Sequence, residues 1–234
     1  MPPETETIRV NFARPIPLFP LDSVVLLPHA VTRLFIFEPR YRQMVGDVLD
    51  AAGQIAMAVI EDNQTSHNPA LKPAVCVGQL AHHIQNDDGT YNIVLAGVCR
   101  AEIVEDQPPE GERLYRQAIL RPLRTEDEPN EEELTSVRSM LLRAITDERF
   151  GKLAGLRDQL EEIEQIPTAA LLELVAMSAV SIASDRRFAY RMLREPSIFE
   201  RASMIEREME ALDRIFGDAL RQRDPDAPRG ITWN

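Results

Sequence analysis

Apart from one short helical interruption, the hydrophobic pattern of this chain keeps one period up to about Arg124 and another after it, and no all-α or all-β fold accommodates both parts. Before that point apolar residues come in short runs rich in β-branched and aromatic side chains: 24–27, 34–37, 55–60, 75–84, 91–95, 98–104 and 115–120. Such runs read as strands. Pro28 cannot donate to a ladder and is expected to break or bulge the first of them. Asn86-Asp87-Asp88-Gly89 is a hairpin signal, because Asp-Gly readily supplies positive φ angles. One helix is expected among the strands. Pro39 suits a first helical position, Tyr41, Met44, Val45, Val48 and Leu49 fall on one helical face, and Gly53 follows as a stop.

Beyond Arg124 the period becomes helical. The acidic stretch 125–133, with Pro129, reads as a linker running into a helix start. Pro167 opens a helix through Val180. Ser197-Ile198-Phe199-Glu200 has the capping-box pattern, in which Ser caps the helix and Glu reaches back to its backbone N–H. Behind it Phe199, Ala202, Ile205, Met209, Leu212, Phe216 and Leu220 recur every three or four residues. That stripe predicts a long amphipathic helix of about six turns. It packs inside the helical part or, at its near-heptad spacing, forms the seam of a homodimer. No repeat at solenoid periods is present. The expected organisation is α+β: a flexible lead (1–14), a β-rich domain (15–124), a helical domain (125–222) and a mobile tail (223–234).

Charge and cysteine content narrow the function. With 234 residues, 44% hydrophobic and 27% charged, the chain has ordinary globular composition and can bury a core. Net charge is −12, and both parts are acidic: 10 Lys+Arg against 15 Asp+Glu through Leu123, and 16 against 23 after it. Together with the lack of an Arg/Lys cluster interleaved with aromatics, this argues against a nucleic-acid partner. Cys76 and Cys99 are too few for a disulfide framework, so free thiols in a reducing cytoplasm are expected. The opening MPPETETIRV lacks the charged start and apolar run of a signal peptide. The most apolar stretch, 171–183, is interrupted by Glu173 and is shorter than the roughly 20 residues a membrane span needs. No membrane contact is expected.

The stretch PIPLFPLDSVVLLPHAVTRLFIFEPRYRQMV, residues 15–45, resembles the opening of the LON N-terminal (substrate-binding) domain. That family shows a Pro-Leu-Phe-Pro-Leu start, a Val-Val-Leu-Pro strand and a Phe-Glu-Pro-Arg-Tyr-Arg turn into its first helix. Here these fall at Pro17 to Leu21, Val24 to Pro28 and Phe37 to Arg42. Val77-Gly78 with the later Asp88-Gly89, and Gly97-Val98-Cys99-Arg100, match the family's Val-Gly strand, its hairpin and its Gly-x-x-Arg strand. The resemblance covers about residues 15–217. His29 departs from it, standing where stand-alone relatives often have Gly, and Ala101 replaces a usual aromatic. The resemblance implies a PUA-like β pseudo-barrel with a packed helix, followed by a helical bundle. It implies a non-catalytic role in holding unfolded or degradation-tagged polypeptide, with a separate protease or chaperone as a further partner. The alternatives are an adaptor that docks a larger partner through the helical part, and an RNA-binding PUA-like protein.

No catalytic apparatus is legible. The only Gly-Lys pair, Gly151-Lys152, precedes Leu153, so the sequence holds no phosphate-cradling Gly-x4-Gly-Lys-Ser/Thr loop. Lys72 and Lys152 are the only lysines and neither sits where a Ser–Lys dyad would desolvate it. His82, His83, Cys76 and Cys99 could ligate zinc, but no Cys-x2-Cys or His-x3-His pair occurs. On a regular strand Cys76 and His82 would share a face while His83 points away. No cofactor and no metal are expected. For contact with a bound peptide the candidates are His29, Phe35, Phe37, Glu38, Arg40, Arg42 and Arg100. Glu38, Arg40 and Arg42 form either a charged lip beside a groove or simply the start of a helix. Arg100 is either such a contact or a buried arginine holding a carboxylate or carbonyls.

Overall fold

In the computed structural model, which describes residues 8–22, 24–61, 69–124, 128–148, 153–157, 163–183 and 186–223, the chain is α+β, with one six-stranded sheet and a helical part. The strands are β1 (Ile16–Leu21), β2 (Val31–Ile36), β3 (Gln54–Ile60), β4 (Leu71–Gln85), β5 (Tyr91–Gln107) and β6 (Gln117–Pro122). Their order is β2-β5-β4-β3-β1-β6, and β5 also pairs with β6. That last pairing returns the sheet on itself, so five strands form a ring, and among the described residues β2 pairs with β5 alone. The length of β5 makes this possible. Its first part, from Tyr91 to Ala96, pairs with β2, and its second part, from Ala101 to Gln107, pairs with β6.

Small and branched side chains fill the ring. Leu18, Ala56, Ala58, Val75, Val77, Ala101 and Ala118 are fully buried there, as a narrow closed sheet requires. The opposite face of the same strands contributes Phe19, Ile55, Met57 and Cys76 to a second cluster. That cluster runs without a break through Leu134, Leu141, Leu172, Phe188, Met192 and Ile205. One apolar core therefore joins the strands to the helices.

The helices are α1 (Pro39–Leu49), α2 (Thr135–Thr146), α3 (Ala154–Arg157), α4 (Thr168–Ala183), α5 (Arg186–Arg194) and α6 (Ile198–Arg223). In α1, Pro39 follows an extended Glu38, and Tyr41, Met44, Val45 and Val48 are buried. Gly53, at φ +69°, donates its N–H to the Val48 carbonyl at 2.9 Å and ends the turn. Helix α4 is capped from a distance: the Glu131 carboxylate accepts the Thr168 N–H at 2.9 Å and its hydroxyl at 2.6 Å. At the start of α6 the Glu200 N–H donates to Ser197 Oγ at 3.4 Å. The return bond differs from the expected box, because Glu195 rather than Glu200 accepts the Ser197 N–H, at 2.8 Å. Ala202, Ile205 and Met209 of the α6 stripe are buried, while Phe199 is exposed. The side chains at 212, 216 and 220 lie outside the described residues, as do 1–7 of the lead and 224–234 of the tail.

Three expectations need correction. Residues 25–27 are buried and Val24 is half-buried, yet none belongs to a strand, since both sides of β1 are already taken by β3 and β6. The segment instead crosses β5 at Gly97, where the His29 N–H donates to the Gly97 carbonyl (2.9 Å) and the Gly97 N–H to the Ala30 carbonyl (2.8 Å). The runs 91–95 and 98–104 are one strand, with a bulge where the register slips between Val77 and Gly78 of β4. A second slip, between Leu80 and His82, leaves Ala81 extra and reverses the faces beyond it. Cys76 and His82 therefore point to opposite sides. Among the described residues no helix is long and apolar enough to cross a membrane.

Candidate functional site

Beyond the ring, the end of β4 pairs with the start of β5, and β5 with β2. One side of this three-stranded lobe is core: Ile36, Tyr91, Ile93 and Leu95 pack with Met44 and Val45 of α1. The other side continues the face that lines the ring but is open. The register arranges it in rows. Phe35 lies opposite Asn92 and Asn92 opposite Ile84; Arg33 lies opposite Val94 and Val94 opposite His82; Val31 lies opposite Ala96. Val31, Phe35 and Ile84 are 61%, 56% and 54% exposed, and Phe37, just past the strand, is 62% exposed. The Phe35 and Phe37 rings stack with centroids 6.1 Å apart. A depression of about 440 Å3 runs between Arg33, Phe35, His82, Ile84 and Val94. Large apolar side chains gathered on one side of an edge strand are uncommon on a surface without a partner.

Of the residues singled out in the sequence, Phe35 and Phe37 stand on this face. Glu38 and Arg40 follow directly and satisfy each other: Arg40 Nε donates to Glu38 Oε2 at 2.9 Å, and its guanidinium lies 4.5 Å from the Tyr41 ring centre. Arg40 also walls a small apolar recess of about 170 Å3 with Pro20, Tyr41, Pro69, Leu114 and Tyr115. Arg42 turns the other way and packs over Gly89 (φ +76°) in the β4–β5 hairpin, where a Cβ would collide with its guanidinium. It holds that turn against α1.

His29 and Arg100 lie elsewhere, at the seam of strands and helices. Arg100 Nη2 is 2.8 Å from each carboxylate oxygen of Glu173 on α4 and donates to the Met192 carbonyl at 3.3 Å. Arg201 of α6 brings its Nε to 3.1 Å from the same carboxylate, and its Nη1 donates to the carbonyls of Glu195 and Pro196 at 2.8 and 2.6 Å. Exposures of 9%, 1% and 6% for Arg100, Glu173 and Arg201 make this a buried triad with one carboxylate between two guanidinium groups. Burial pushes the Arg201 pKa down to about 10, with Arg100 adding to the shift and Glu173 opposing it. His29 takes a left-handed conformation (φ +62°) beside the triad. The residue is exposed overall, and partial desolvation of its imidazole against the cleft holds its pKa below the ordinary value, Glu173 working against that shift and Arg100 with it. A cleft of about 420 Å3 opens here, lined by His29, Cys99, Arg100, Leu134, Ile198 and Arg201.

The sequence reading missed Val31, Arg33, His82, Ile84 and Val94 as neighbours of Phe35, because cross-strand register has no local signature. One hint was present: residues 31–37 carry apolar side chains at both parities, more than a strand with one wetted face needs. Glu173 was also visible, as the charge interrupting an apolar run, but its partners are 73 and 28 residues away. Cys76 and Cys99 are free and line opposite faces of the sheet, and burial raises both thiol pKa values. Among the described residues no group of three or more His, Cys, Asp or Glu side chains is placed to hold a metal.

Comparison with known proteins bears on this geometry. Residues 15–211 match the model of the ATP-dependent protease La (LON) substrate-binding domain. A Lon protease of Azorhizobium caulinodans is 29% identical over 96 residues, covering 40% of this chain and 11% of that protein. A Lon protease of Rhizobium meliloti is 22% identical over 89% of this chain and 30% of its own length. The chain thus spans under a third of those relatives. The solved N-terminal domain of a Mycobacterium avium complex Lon protease shares the fold, with a TM-score of 0.58 at 14% identity, over 84% of this chain and 98% of that one. With most of its length matched by one family model, this chain belongs to the LON substrate-binding domain family.

Proposed function

We propose that this chain is a polypeptide-binding module that holds an extended, unfolded segment against the open face of β2, β5 and β4. The segment adds as a further strand along the free side of β2. The carrying observation is the coincidence of that free strand edge with Val31, Phe35, Phe37 and Ile84, all more than half exposed on one side. A strand edge offers backbone donors and acceptors to any extended chain, whatever its sequence. Apolar rows then reward the exposed side chains that a folded protein would have buried. The family supports the reading, since it is described as the substrate-binding domain of an ATP-dependent protease, and the substrate of a protease is polypeptide.

In this reading the ring is the PUA-like barrel, residues 15–124 form the binding domain, and the helical part (125–222) buttresses it as a bundle. The clients are unfolded or tagged polypeptides in the cytoplasm, passed on to a protease or chaperone. The role is binding rather than catalysis. His29 and Arg100 belong to the seam, and Glu38 and Arg40 to the border of the face.

The test is a fluorescence-anisotropy titration of a labelled, permanently unfolded polypeptide against the purified protein, without ATP, beside the folded form of the same polypeptide. Saturable binding of the unfolded form alone is the expected result. The double variant Phe35→Ser/Phe37→Ser should weaken it about ten-fold, because the two rings no longer offer apolar surface for the segment to cover. Equal affinity for folded and unfolded forms, or none for either, would overturn the proposal.

A further inference from the structure

We infer, resting on the polypeptide-binding reading of this face, that it selects extended segments patterned apolar-x-acidic-x-apolar, with the acidic side chain set beside Arg33. The rows repeat along β2 as apolar at Phe35, cationic at Arg33 and apolar at Val31, with His82 standing across Val94 from Arg33. Alternate side chains of a strand fall on one side about 6.7 Å apart, so an added strand presents its own side chains at the same interval. In antiparallel addition, the more stable pairing, the first client residue facing this side meets Phe35, the second Arg33 and the third Val31. The middle position is the selective one. Arg33 is exposed, and no hydrogen bond or ion pair joins it to another described residue. A carboxylate there gains a cross-strand ion pair that an amide lacks and an ammonium group opposes.

Charge also indicates which occupant the face takes. A second copy of this chain, paired antiparallel about the centre of the row, would set Arg33 against Arg33, and like charges directly opposite are unfavourable. The net charge of −12 acts in the other direction at long range, favouring basic over acidic peptides. A preference for an acidic residue at this one position can therefore come only from a local partner, which makes the inference easy to tell from a general charge effect.

The test uses three labelled peptides that are identical, apolar on the flanking positions and uncharged elsewhere, with Glu, Gln or Lys in the middle. The expected order is Glu, then Gln, then Lys, with Glu about three-fold tighter than Gln and about ten-fold tighter than Lys. Arg33→Glu should invert that order, and Phe35→Ser should weaken all three alike. Equal affinities, an order led by Lys in the unaltered protein, or an order unchanged by Arg33→Glu would overturn the selectivity while leaving the polypeptide-binding reading in place. Binding by none of the peptides would overturn both.

Discussion

Glu173 is a single carboxylate held between Arg100 and Arg201, all three nearly removed from water. Deleting it leaves two buried guanidinium groups facing each other, and an uncompensated buried charge costs far more than a broken surface pair. Glu173→Ala should therefore destabilise the protein by about 3–5 kcal/mol, read as a lower urea midpoint. A loss under about 1 kcal/mol would mean that water or another group takes the place of the carboxylate. His29 gives a second prediction at this scale. Its left-handed φ is unfavourable for a residue with a Cβ, so His29→Gly should stabilise by about 0.5–1 kcal/mol. Its pKa is lower in the fold than the ordinary 6.5, so between the two values the unfolded chain binds more protons. Stability should fall as pH drops from about 6.5 toward the folded value and level off below it, and His29→Gly should remove that part of the slope. Much of this was half legible. The sequence leaves Arg100 as either a peptide contact or a buried arginine holding a carboxylate or carbonyls, and marks His29 only as a departure from the family pattern. Neither named the other side of the contact, which only the packing of α4 and α6 on β5 supplies.

At the scale of elements, local chemistry governed starts and stops, while pairing governed faces. Pro39 and Gly53 bound α1, and Asp88-Gly89 turns the β4–β5 hairpin, as their conformational preferences require. The bulges at Val98 and Ala81 were invisible because a bulge exists only relative to a partner strand, and each reverses the faces of everything beyond it. That reversal places His82 and Ile84 on the open side. Residues 24–27 show the same limit in another form. Their composition suits a strand, yet β1 has no side left to offer, and the segment survives as buried coil because Gly97 lets it pass close over β5. A side chain there meets the Leu27 backbone carbonyl, which cannot swing aside. Gly97→Ala should cost about 1–3 kcal/mol by overpacking, measured as a drop in unfolding midpoint. An unchanged midpoint would show that the crossing segment is free to move.

For the whole molecule, the division into a strand part and a helical part follows the change of period at Arg124, but the core does not respect it. Apolar side chains from β1, β3 and β4 and from the helices form one cluster, locked by the Arg100–Glu173–Arg201 triad. Among the described residues, the lobe of β2, β5 and β4 combines exposed apolar side chains with an unpaired strand edge, and the proposed role depends on a client binding there. Hydrogen exchange, measured with and without a saturating unfolded polypeptide, tests it directly. Client binding at this lobe predicts slowed exchange at amides of β2 (Val31–Ile36), whose outward N–H groups gain partners, and little change across α4 and α6. Protection confined to the helices or to the seam cleft, with β2 exchanging as before, would contradict it.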